Sequence, residues 1–188
     1  MAKKHLVLCC FSGASLILAL TPGLAQAQDF SGPYVGAQAG IGILDTKGST
    51  IAGPFDDTST SAVASAVLGY RTPLGEDGPL VLGIEGDVGI YSKGSDARYG
   101  VSGLVGFRVG DNGMAYARGG YAWRDGIRTG VGKGIDGPVY GGGFEFGLSE
   151  QLSFRIDYKY LDYDDVNVPD NIANFSGHEV TGGVLLTF

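Results

Sequence analysis

The residues with most chemical potential in this chain are charged groups set at alternate positions within apolar, glycine-rich segments. Glu85 and Asp87 stand two apart, as do Arg155, Asp157 and Lys159, while Arg108, Arg118 and Glu145 sit singly among glycines and aromatic residues. A spacing of two puts side chains on one face of a β-strand. The set holds four acids and four bases, and charges sharing one enclosed face must be paired and hydrogen-bonded. Two kinds of chemistry fit it: a salt-bridged plug that fixes strand register, or a gated path for ions.

Three other groups have the residue types for chemistry but not the arrangement. Ser176, His178 and Glu179 are the residue types of a hydrolase, but adjacent strand residues point to opposite faces, so His178 and Glu179 make a poor base–orienter pair. The acidic run Asp162, Asp164, Asp165 and Asp170 lacks the spacing and turn glycine of a calcium loop and reads as a solvated loop. Gly141-Gly142-Gly143 and the glycines between positions 83 and 89 lie inside strands, so they do not cradle phosphate. No catalytic residue, cofactor site or metal site is expected.

The elements that must position the charged set are short and alternating. Segments at about 33–44, 61–71, 79–91, 98–109, 114–124, 138–148, 152–163 and 179–188 each run near ten residues with period two. The third is the clearest: Leu82, Ile84, Val88 and Ile90 face one way, Gly83, Glu85, Asp87 and Gly89 the other. The second is the weakest, with Val63 and Val67 on the side opposite Ala64, Ala66, Leu68 and Tyr70. Segments 45–60, 125–137 and 164–176 read as loops, and 72–78, 110–113 and 149–151 as short turns, with Asn112-Gly113 a hairpin signal. The link 92–97 is short.

Eight strands of this length suit a tilted crossing of a bilayer. The fold expected is all-β: an eight-stranded antiparallel up-and-down transmembrane barrel. Closure removes the unpaired edges that lipid cannot satisfy. A soluble barrel would turn its apolar face inward, and an interior of eight strands is too narrow for Tyr140, Phe144, Phe146, Phe154, Tyr158 and Tyr160 together. The apolar face is therefore expected outward, with Tyr70, Trp123, Tyr140 and Tyr160 in an aromatic girdle at the lipid–water boundary.

The first 27 residues read as a cleaved signal peptide. Lys3, Lys4 and His5 precede an apolar run at 6–20, and Ala25 and Ala27 offer the small residues a signal peptidase needs. Cleavage after Ala27 would leave a single domain, 28–188, without cysteine, because Cys9 and Cys10 fall in the removed segment. Leu8 is too large to precede a lipoprotein Cys9. The remaining chain carries 11 basic and 20 acidic residues, a net charge near −9, which excludes nucleic acid as a partner. Glycine is abundant, 34 residues spread through the apolar and aromatic runs, as a tightly curved wall would need.

The last strand carries a resemblance. Thr181, Gly183, Leu186 and Phe188 are similar to the C-terminal assembly signal of Gram-negative outer-membrane barrels, and the chain resembles the small eight-stranded group that includes the OmpA membrane domain, OmpX and opacity-type porin-family proteins. The resemblance implies an integral place in the outer membrane, among its lipids and lipopolysaccharide. It also implies insertion by the barrel-assembly machinery through the C-terminal strand, and a host or cell-surface partner met by the outer loops. The role it implies is envelope integrity and adhesion. A narrow porin-like channel is the alternative, and lipid A modification a lesser one: the deacylase pattern puts a serine two residues after the histidine, where this chain has Val180.

Overall fold

The computed structural model describes residues 30–50, 53–75, 78–93, 97–125, 134–168 and 171–188. The expected signal peptide, with Ala25 and Ala27, lies outside them, as do Asp170 and the tips of several links.

Alternating apolar residues produce eight strands: β1 (Gly32–Thr50), β2 (Gly53–Pro73), β3 (Leu80–Tyr91), β4 (Ala97–Val109), β5 (Gly113–Arg124), β6 (Ile135–Gly147), β7 (Leu152–Val168) and β8 (Asn171–Thr187). Each pairs antiparallel with the next, and β8 pairs with β1 to close the barrel. Following paired residues around the wall from Ile43 leads through His178, Tyr160, Tyr140, Gly119, Gly103, Ile84 and Tyr70. The path returns to β1 at Pro33, ten residues from its start. That stagger tilts the strands and leaves an interior that side chains can fill.

Three tight turns join the strands at one end, which we call the turn end. Leu74 N–H donates to Leu80 O at 2.8 Å across the first. The β4–β5 turn is made by Gly110, at φ 65°, with Val109 paired to Gly113. The hairpin thus falls where the Asn112-Gly113 signal marks it, with Gly110 as its left-handed glycine.

The outward positions form a continuous apolar belt. They occupy 35–43, 62–70, 80–90, 99–109, 115–123, 138–148, 152–160 and 180–188, nine to eleven residues per strand, and none is charged. Nine to eleven residues is the length of a tilted bilayer crossing. Leu68, Ile84, Ile90, Val105, Ile156 and Phe188 are among the exposed apolar side chains. The belt ends abruptly at the loop end, where Ile43 gives way to Asp45, Ala62 to Thr60, Tyr160 to Asp162 and Val180 to His178.

Beyond that border two expectations are corrected. Segments 45–60 and 164–176 are not loops. Pairing of β1 with β2 continues to Thr50–Gly53, and that of β7 with β8 to Val168–Asn171, with a bulge between Tyr163 and Val166. β1 also pairs with β8 as far as Ser49–Ile172. Pairing of β2 with β3 stops at Val63, and of β6 with β7 at Leu161. A four-stranded blade, in the order β2-β1-β8-β7, therefore continues past the last pairs that its margins make with β3 and β6. Its outer face is polar: Thr58 donates to Asp45 at 2.7 Å, and Lys47 lies 3.8 Å from Asp56. Thr, Ser and Asp hold a strand in water as long as its neighbours satisfy the backbone, and no apolar period is needed to mark it.

Candidate functional site: the barrel interior

The interior is built by strands whose small inward residues make room for large ones across the wall. An added Cβ on Gly69 would fall 2.4 Å from the Tyr34 hydroxyl oxygen, and one on Gly143 would fall 2.6 Å from that of Tyr116. Both rings lie over a glycine, which aims their hydroxyls at acids. Tyr34 donates to Glu85 Oε2 at 2.7 Å, and Tyr116 donates to Asp157 Oδ1 at 2.8 Å.

Those acids belong to one ladder of ten charges that alternate in sign. Arg71 at the turn end lies 2.7 Å from Glu145, which lies 3.0 Å from Arg155. Arg155 also pairs with Glu85, and Glu85 accepts from Arg118 at 2.6 Å. Arg118 lies 3.4 Å from Asp157, whose other neighbour is Lys159 at 3.8 Å. Lys159 lies 3.5 Å from Asp87, and Asp87 lies 2.5 Å from Arg98. Arg98 closes the series on Glu179 at 3.2 Å, and Tyr91 donates to the same carboxylate oxygen.

Further donors complete the ladder's turn end. Ser153 donates to Glu145 at 2.5 Å, and Arg71 to Thr187 Oγ1 at 3.0 Å. The guanidinium of Arg155 lies over the rings of Tyr34 and Tyr116, at 5.3 and 5.0 Å. Every member of the ladder is buried, with Asp87 the most exposed at 9%. Five positive and five negative side chains neutralise one another, which is what makes charge tolerable in so narrow a space.

Apolar residues stop both ends. At the turn end Phe30, just ahead of β1, packs with Val81, Leu104, Met114 and Tyr116, and Arg71 lies 5.2 Å above its ring. At the loop end Ala122, Ile135, Val139, Leu161, Tyr163 and Phe175 form a second cluster. A void about the size of one water beside Tyr34 and Met114 and another beside Tyr91 and Glu179 flank the ladder.

Of the eight residues anticipated for a lumen network, the fold brings together seven: Glu85, Asp87, Arg118, Glu145, Arg155, Asp157 and Lys159. Arg108 shares their face but sits half-buried near the turn end of β4. Sequence reasoning missed Arg71, Arg98 and Glu179. Each stands at a segment boundary, yet each has the inward parity of Val67, Ser102 or Thr181, and that parity was available as a signal.

The remaining predicted residues lie on the wall itself. Tyr70 faces outward near the turn end, and Trp123 near the loop end, its ring 5.1 Å from Tyr121. Tyr140 is outward and pairs with Tyr160, which is half-covered by the His178 ring 5.0 Å away. In β8, Thr181 is buried inward, Leu186 and Phe188 are outward, and a Cβ on Gly183 would meet Ala37 O at 2.1 Å. His178 faces outward with Nδ1 2.9 Å from the Tyr158 hydroxyl, whereas Glu179 faces inward on Arg98. The barrel wall thus separates the two halves of the hydrolase-like trio. No cluster of three or more metal-ligating side chains occurs among the described residues.

The family model described as the outer membrane protein beta-barrel domain matches residues 12–188. No curated protein is significantly similar in sequence. The crystal structure of Neisserial surface protein A is similar at 17% identity and a TM-score of 0.52, covering 84% of this chain and 98% of that one. The N-terminal β-barrel domain of OprF from Pseudomonas aeruginosa is similar at 12% identity and a TM-score of 0.50, covering 80% and 97%. At these identities the likeness concerns the fold.

Proposed function

The chain belongs to the outer-membrane β-barrel family and is an integral protein of the outer membrane, and from that premise we propose that it is a closed, non-catalytic barrel acting at the cell surface. The observation that carries this reading is the unbroken ladder from Arg71 to Glu179. A lumen crossed by ten mutually neutralising, buried side chains offers a solute no lining of open charge. What remains for interaction is the blade. Short turns face the periplasm and long hairpins the outside in such barrels, so the blade stands beyond the outer leaflet. Its β2 margin, 53–61, runs past the end of β3 and presents Phe55, Asp56, Asp57 and Thr58 to solvent. A surface partner or lipopolysaccharide is met there, and the belt meanwhile braces the envelope. Thr181, Gly183, Leu186 and Phe188 on β8 serve the assembly machinery.

Planar-bilayer recording on the purified protein tests the closed lumen. The expected result is no steady conductance, and large, steady single-channel steps would overturn the reading in favour of a channel. Lipid A mass spectra are expected to be unchanged on overexpression. Cells carrying the protein with residues 46–57 replaced by a tight turn are expected to lose surface binding while the barrel still folds.

A further inference from the structure

The β2 margin of the blade is an unfinished sheet edge. Pairing of β2 with β3 ends at Val63–Tyr91, and one further residue closes it. Ser92 N–H donates to Ala62 O at 2.9 Å, and Ala62 N–H donates to Ser92 Oγ at 3.0 Å. The N–H and C=O of Ala62 therefore point away from β1. Backbone groups alternate sides along a strand, and β2 pairs with β1 residue for residue from Gly53 to Arg71 without a bulge. The N–H and C=O of Thr60, Thr58 and Asp56 thus point the same way as those of Ala62, and no described residue pairs with them. All three residues are exposed. Six backbone groups in a row are the template that an added strand completes. Pro54 has the same parity and no N–H, so the row ends there.

We propose that this margin docks an extended segment of a partner protein by strand addition, and that the segment carries two adjacent basic residues beside a large apolar one. This rests on the surface role given above to the blade and names the partner that role requires. The aspartates select the charge. Asp56 faces outward and Asp57 inward, so an added strand meets an acid on each of its faces. Two adjacent Lys or Arg residues point to opposite faces and supply one cation to each acid. The Lys47 pair with Asp56 is long and exposed, and is worth too little to exclude a second cation. Phe55 shares the inward face with Asp57, is 40% exposed, and offers an apolar cross-strand neighbour. A second copy of the chain fits poorly, because it would bring two more aspartates to the same edge.

The test is selection of random peptides displayed on phage against the folded barrel in lipid nanodiscs, with empty nanodiscs used to discard membrane binders. The expected winners hold two adjacent basic residues beside an apolar one. Synthetic copies are then read by fluorescence anisotropy. Methylating the backbone nitrogens of alternate residues should weaken binding roughly tenfold or more in the parity whose N–H groups face β2. Methylating the other parity, whose N–H groups face solvent, should leave affinity within about twofold. Thr58→Pro removes the middle donor of the edge and none of those that pair with β1. It should lower affinity roughly tenfold or more while the barrel keeps its heat-dependent shift in gel mobility. No enrichment, winners indifferent to which parity is methylated, or equal binding to Thr58→Pro overturns the proposal. Self-association of the purified barrel that Thr58→Pro abolishes overturns it in favour of a second copy. Peptides that pass both tests support the edge even where cells keep their surface binding after replacement of residues 46–57, a result that sinks the surface role alone.

Discussion

The blade continues four of the belt's eight strands, and along those four the two regions differ in what lies outside them. Along β1 the outward residues run Val35, Ala37, Ala39, Ile41, Ile43, and then Asp45 and Lys47 with no break in pairing. The backbone does not register the change at all. Hydrocarbon supplies no hydrogen bonds, so in the belt every outward side chain is apolar, whereas water tolerates either kind and the blade is polar. The inward side behaves differently again, because from the turn end up to the level of Phe175 it is lined by buried residues, first the ladder and then Leu161, Tyr163 and Phe175. Strand structure here is a constant, and the solvent on each side decides the residue.

Substitutions can break or sharpen that contrast. The largest effect is expected inside the belt, from Arg155→Ala, which takes from Glu85 and Glu145 the cation they share and leaves each with a single arginine partner. Breaking a buried pair costs about 3–5 kcal/mol, to be read from urea unfolding in lipid vesicles by tryptophan fluorescence. Phe30→Ala opens the turn-end cluster and is expected to cost a similar or slightly smaller amount, about 3 kcal/mol. Next comes the pair that states the comparison directly. Val184→Arg, outward at mid-belt, should cost about 2–4 kcal/mol, while Thr58→Arg, outward on the blade, should stay within about 0.5 kcal/mol. Equal costs at the two sites would show that the belt's border is misplaced. The smallest effect is Lys47→Ala, which removes an ion pair whose members are 69% and 62% exposed. Such a pair is worth about 0–1 kcal/mol, and the difference should vanish in high salt.

The same contrast explains what could be read in the sequence. In the belt the two faces meet opposite environments, so period two is loud, and strands β3 to β6 were legible to within a few residues. Seven of the ladder's members followed from parity alone. Past Ile43 and His178 the contrast fades because one face meets water, and Thr-, Ser- and Asp-rich strands look like loops. Arg71, Arg98 and Glu179 were missed where the segments were cut short, at their ends. Phe30 stands outside any strand, and nothing in its neighbours marks a plug; only the assembled turn end gives it a place to go.

The order in which the ladder crosses the barrel has a consequence for how the protein reaches its membrane. Six of its nine contacts join strands that are not neighbours in the wall: β2 to β6, β3 to β7 twice, β3 to β5, β5 to β7 and β4 to β8. A hairpin or a half-rolled sheet therefore holds bare guanidinium and carboxylate groups that no adjacent strand can quench. Such an intermediate is repelled by hydrocarbon until the seam between β1 and β8 has nearly met. Curling must come before immersion, and entry into the bilayer becomes all-or-none.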